Sequence, residues 1–103
     1  MSKNIENLDW LTLKQVKQRR KTIASHYDSY TEYIEDYRQM QQARENNRRI
    51  RKDLKMIDII IREMEEVQQE LERRGLEAEL RYAKGRMRIV YGDRILFRNI
   101  KFN

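Results

Sequence analysis

Two runs of apolar and aromatic residues keep a 3–4 spacing in this chain, and they are out of step with each other. The first is Leu13, Val16, Arg20, Ile23, Tyr27, Tyr30, Ile34 and Tyr37, interrupted once by a polar residue. The second is Ile50, Leu54, Ile57, Ile61, Met64, Gln68 and Leu71. Continued past Tyr37, the first pattern lands on Gln41, Arg44, Arg48 and Arg51, all polar, so the seam breaks near residues 43–47 and restarts shifted. The break predicts two long amphipathic helices joined by a short turn, a coiled-coil-like antiparallel hairpin. The rival is one helix of roughly sixty residues with a stammer in its repeat, pairing between chains.

Composition favours long helices. No proline occurs, and no glycine precedes Gly75; inside a helix these residues cost about 3 and about 1 kcal/mol. Charged residues make up 39% of the chain, but apolar residues match them at 39% and are periodic, which argues for a packed protein over a disordered one. At 103 residues the expectation is a single small domain, 1–103. Without cysteine there is no disulfide, thiolate metal site or thiol nucleophile. The start is polar, so no signal peptide is expected, and the longest apolar runs are far too short to span a membrane. These features predict a cytoplasmic protein that does not engage membranes.

Residues 1–11 read as a lead-in that docks Leu8, Trp10 and Leu11 on the helices. Thr12 followed by Gln15 fits a capping box, which starts helix one. The predicted boundaries are 12–44 for this helix, a turn at Glu45, Asn46 and Asn47, and 48–74 for the second, stopped by Gly75. Each predicted helix opens basic and turns acidic, so an antiparallel pair sets Lys14, Lys17 and Arg20 beside the acidic end of the second. From Leu76 the period becomes two, and Lys84-Gly85 and Gly92-Asp93 mark turns, giving a three-stranded antiparallel β-meander over 78–102. The fold class is thus α+β and predominantly α. In the last hairpin a two-residue loop sets Leu96 beside Ile89, whereas a three-residue loop sets Ile95 and Phe97 beside Tyr91 and Ile89. The second register gives the cleaner apolar face and is preferred. Such a hairpin leaves seam residues bare, so a homodimer built as a four-helix arrangement is expected, with Tyr27, Tyr30, Tyr33 and Tyr37 at an interface.

Catalysis has little to work with. The one histidine, His26, has no cysteine or serine motif beside it and reads as a packing or capping residue. The carboxylates of Asp28, Glu32 and Glu35, or Glu63, Glu66 and Glu70, sit at helical spacing with no Glu-x-x-His pattern, and no phosphate-cradling glycine loop occurs. The reading is a non-enzyme with no metal and no cofactor.

Basic residues are the better lead. The last twenty-eight residues carry Arg81, Lys84, Arg86, Arg88, Arg94, Arg98 and Lys101 against three acids, so +4 of the net +6 lies there. Arginine suits bidentate contact with phosphate. Alternation would set Arg81, Arg88 and Arg98 on one face, and a two-stranded ribbon fits a DNA major groove. A solvated edge that resists aggregation explains the same arginines equally well. Tyr82, Tyr91 and Phe97 read as the core face in preference to base-stacking residues. Arg44, Arg48, Arg49, Arg51, Lys52 and Lys55 form a second cluster at the predicted turn, a basic finger tip.

No motif specific enough to name a family occurs; size and charge density suit the small accessory proteins of viruses and mobile elements. The leading expectation is a dimeric binding protein for nucleic acid or a nucleic-acid-handling complex. Three or more phosphate contacts per chain would give a log–log salt slope of about −5 or steeper for the dimer. The competing expectation is an adaptor or inhibitor that offers its tyrosine-rich helix face or basic tip to a protein.

Overall fold

Residues 8–102 are described by the computed structural model. Residues 1–7 of the expected lead-in, with the polar start, lie outside the described residues. The order is β1 (Leu11–Thr12), α1 (Leu13–Ser25), a 3-10 turn (Thr31–Tyr33), α2 (Tyr37–Arg73), β2 (Glu79–Ala83), β3 (Arg86–Tyr91) and β4 (Arg94–Asn99). The strands form one antiparallel sheet in the order β1-β2-β3-β4.

This corrects the predicted fold in four places. The first helix does not run to residue 44; it stops at Ser25. The predicted turn at Glu45, Asn46 and Asn47 lies inside α2, which is 37 residues long and starts eleven residues before the expected 48. The sheet has four strands, because Leu11 and Thr12 pair with Tyr82 and Arg81. The last hairpin takes the two-residue loop, setting Leu96 opposite Ile89 and Phe97 opposite Arg88.

The helical corrections share one cause. Met40, Ala43 and Asn47 lead into Ile50, Leu54 and Ile57 at the same 3–4 spacing, so the second seam simply continues backward through the supposed turn. The first run ends earlier, in Ser25, His26, Tyr27, Asp28, Ser29, Tyr30 and Thr31, residues of middling or poor helix propensity. Local side-chain bonds compete with the helix there: Ser25 Oγ donates to the Thr22 carbonyl at 2.6 Å, and the Asp28 carboxylate accepts from Tyr30 N–H at 2.8 Å. Asp36 then caps α2, accepting from Gln39 N–H at 3.0 Å.

Asn47 holds the reversed segment down. It is 5% exposed on α2; its side-chain oxygen accepts from Asp28 N–H at 2.9 Å and its amide donates to the Asp28 carbonyl at 2.7 Å. An irregular stretch that lies against a helix leaves backbone groups without ladder partners, and the carboxamide satisfies two of them. Residues 13–33 thus run antiparallel along α2. Lys17 meets Glu65 at 3.0 Å, and Arg20 meets both oxygens of Asp58 at 2.5 and 3.3 Å, so basic α1 faces acidic α2. The hydrogen bond and charge of Asp58 raise the Arg20 pKa above its ordinary value.

The core gathers at the other end of α2. Val16 from α1, Met64 from α2 and Met87 from β3 are the innermost side chains, joined by Ile57, Ile60, Val67, Leu71, Leu80 and Ile100. α2 ends in a Schellman motif: Gly75 (φ 68°) donates to Glu72 and Leu76 to Leu71, both at 3.0 Å. Leu76 then packs on the core. The β2–β3 turn has Lys84 and Gly85 both at positive φ, the type I′ pattern that matches strand twist. α2 alone spans about 55 Å at the usual helical rise, and the molecule measures 59 × 35 × 23 Å. Among the described residues no helix is long and apolar enough to cross a membrane.

Asn47→Ala is expected to lower stability by about 1–3 kcal/mol in urea denaturation, because it strands two backbone groups of Asp28. Asn46→Ala, one residue away on the exposed side, should stay within about 0.5 kcal/mol. Lys84→Asn should raise stability by up to about 1 kcal/mol, since asparagine tolerates the left-handed conformation that Lys84 is forced into.

Candidate nucleic-acid interface

The sheet has two unlike faces. Leu80, Met87 and Ile89 point toward the helices. The pairings Thr12–Arg81–Arg88–Phe97 and Ala83–Arg86–Asn99 put Arg81, Arg86, Arg88 and Phe97 on the other face, with Val90 and Ile95. Trp10, just before β1, joins this face rather than docking on the helices as the lead-in was expected to do.

There the arginines and rings interleave. The Arg88 guanidinium lies over the Trp10 indole, 4.7 Å from its centroid, and Trp10 meets Phe97 at 5.9 Å. Arg86 lies over Phe97 at 5.9 Å and donates through Nε to Asn99 at 3.4 Å. A cation over an aromatic face is attracted by the ring quadrupole without being neutralised by an opposite charge. Arg88 Nε is buried with no hydrogen-bond partner among the described residues, and the indole is the ring against which this guanidinium packs. Arg81 differs: it pairs with Glu79 and donates to the Trp10 carbonyl at 3.2 Å, tying the stack to β1.

The remaining expected site residues fall elsewhere. Arg98 opposes Met87 and belongs to the helix-facing side, so the expected row of Arg81, Arg88 and Arg98 does not form; the two-residue loop moves Phe97 into its place. Arg98 instead lines a groove of about 430 Å³ between β4 and the end of α2, with Glu66, Glu70, Leu71, Ile89 and Leu96. Arg94 is exposed at the loop end of β4. The basic finger tip does not exist, because Arg44, Arg48, Arg49, Arg51 and Lys52 lie along α2. One Arg44 nitrogen donates to both Glu32 oxygens at 2.9 Å, Arg51 donates to the Tyr27 hydroxyl at 2.7 Å, and Arg48 stands 4.0 Å from Glu45. The end of the molecule is aromatic instead: Tyr30, Tyr33 and Tyr37 are 70%, 80% and 68% exposed, with Tyr30 and Tyr33 rings 6.1 Å apart. Tyr27 is half-buried, under the Arg51 guanidinium. His26 is the exposed C-cap of α1, its backbone N–H donating to the Ile23 carbonyl at 3.2 Å.

Compared with known proteins, the chain matches no family model, no curated protein and no solved structure. Its chemistry therefore rests on its own geometry. Among the described residues no cluster of histidine, cysteine or carboxylate side chains is arranged to hold a metal ion. Sequence reading missed Trp10 and the true side of Phe97. The signal for Phe97 was the Gly92-Asp93 pair itself: glycine first favours a two-residue type II′ loop, which sets the register.

Because Trp10 is the one tryptophan, its fluorescence reads this face directly. Arg88→Ala is expected to shift its emission to longer wavelength as water reaches the indole. Arg98→Ala, on the opposite face, should leave the spectrum unchanged.

Proposed function

We propose that this protein is a non-enzymatic binding protein that engages single-stranded nucleic acid on the outer face of its sheet. The observation that carries the reading is the stack of Trp10, Arg88, Phe97 and Arg86 on the side away from the helices, with no carboxylate ion pair on Arg86 or Arg88 among the described residues. Aromatic rings on such a face stack on bases, while guanidinium groups track phosphates, a combination that tolerates any sequence. Phe97, at 47% exposure, has ring area to offer. A single strand suits the site better than a duplex groove. The ribbon face that would enter a groove lacks Arg98, and the charge is interleaved with rings rather than lined up along one edge.

A labelled single strand titrated across a salt series tests the reading. Three phosphate contacts per chain correspond to a log–log slope of about −2 for single strands. The double change Arg86→Glu and Arg88→Glu should abolish binding, while Arg49→Glu with Lys52→Glu on α2 should weaken it only slightly. Binding that survives the sheet changes, or that ignores salt, overturns the proposal.

A second reading has an observation of its own: the cluster of exposed Tyr30, Tyr33 and Tyr37 at the far end of the molecule. Tyrosine is enriched at protein interfaces, where its ring buries area at low entropic cost. Under this reading the protein is an adaptor or inhibitor. Tyr33→Ala would then remove function, and the arginine changes on the sheet would not.

A further inference from the structure

Among the described residues no strand pairs with the outer edge of β4, and all six of its residues are exposed. Ile95, Leu96 and Phe97 follow one another there at 58%, 49% and 47% exposure, a concentration of bare apolar area on one strand. Strand alternation determines which backbone groups are unpaired. Arg94 closes a two-residue loop against Tyr91, and Ile100 N–H donates to the Gly85 carbonyl at 2.8 Å. Residues 94, 96, 98 and 100 therefore turn their N–H and C=O groups toward β3, and Ile95, Phe97 and Asn99 turn theirs to the open edge.

We propose that this edge pairs with the β4 edge of a second copy, antiparallel about a two-fold axis at Phe97, to give a continuous eight-stranded sheet. Charge and the length of β4 select the register: centring on Asn99, its last residue, would pair only the end of the strand. A pairing centred on Leu96 sets Arg94 against Arg98 twice, and one centred on Arg98 sets that residue against itself; like charges directly opposite are destabilising. A pairing centred on Ile95 uses only the loop end of the strand. Centring on Phe97 joins Phe97 to Phe97, Ile95 to Asn99 and Leu96 to Arg98, with no arginine facing another. It also satisfies the outward groups of Ile95, Phe97 and Asn99 together.

The groove supplies a complementary charge. Leu96 and Glu66 line it together, and Glu66 has no ion-pair partner among the described residues. In the Phe97-centred register the second copy's arginine at position 98 lies beside Leu96, on the helix-facing side, and comes to Glu66, in a groove whose other charges are Glu70, already paired with Arg74, and the chain's own Arg98. The proposed dimer therefore joins through the sheet, and not through the four-helix seam expected from the sequence. It does not depend on the nucleic-acid reading.

The full chain is tested first by light scattering over a concentration series. A mass twice 12.8 kDa is expected, and a chain that stays at 12.8 kDa throughout overturns the proposal. Ile95→Pro removes only an outward N–H, so it should keep the circular dichroism of the parent and lose the dimer; a dimer that persists in this folded variant overturns the β4 edge as its interface. The register is read by cross-linking, because the chain has no cysteine of its own. Opposed residues at a hydrogen-bonded antiparallel site lie about 5.5 Å apart, within disulfide range. Phe97→Cys should therefore cross-link under oxidation, and Leu96→Cys and Arg98→Cys should not; bridging at 96 or 98 instead overturns the register.

Discussion

The Asn47 carboxamide, closed on both backbone groups of Asp28, is the contact on which the shape of the molecule depends. Between Ser25 and Tyr37 the chain has one short 3-10 turn and few regular hydrogen bonds of its own. Such a segment lies against a helix only if its polar groups are met there, since leaving them buried and unpaired costs more than the packing returns. Asn47 meets two of them at once, Arg44 holds Glu32 and Arg51 holds the Tyr27 hydroxyl. Together these contacts make the first part of α2 one wall of a hairpin whose other wall is mostly not helix.

At the opposite end the logic is apolar. Methionine at positions 64 and 87, both fully buried, fills the space between α2 and the sheet, where a flexible unbranched side chain accommodates an irregular helix–sheet junction. The two-residue loops do the rest. By setting Leu96 against Ile89 they keep the helix-facing side apolar toward its centre, and they send Phe97 outward to share a face with Arg86 and Arg88. The arginine–aromatic stack is thus a consequence of loop length, and it brings together residues nearly ninety positions apart in sequence, from Trp10 to Phe97.

Much of the second half was legible. The switch from a 3.6 to a 2 period, the Lys84-Gly85 and Gly92-Asp93 turns and the Gly75 stop all mark features seen in the structure, because each depends on local chemistry. The first half misled for a physical reason. Tyr30 and Tyr37 continue the spacing of Ile23 and Tyr27, but a tyrosine belongs equally well in solvent, so a run with so many of them does not require one buried face. Asparagine tolerates the left-handed conformation of a tight turn, which makes Asn47 look like a turn former; in the structure it is helical, and its carboxamide instead satisfies the backbone of a distant segment. Asp36 with Gln39 carries the same capping signature as Thr12 with Gln15 and was hidden by the apparent periodicity around it. β1 has two residues, too few to show any alternation, and with it the place of Trp10 was beyond sequence reading.

One uninterrupted helix joins these two unlike ends, and its support is uneven along its length. From Ile57 to Leu71 every turn of α2 places a residue in the core, whereas between Tyr37 and Asn46 none is buried. Local opening free energies follow burial, so amide exchange along this single helix should form a gradient, fast at the tyrosine end and slow beneath the sheet. The helix is thereby able to unwind from its exposed end, turn by turn, while the core stays closed. Anything bound at the tyrosine end would meet the part of the helix that costs least to reshape.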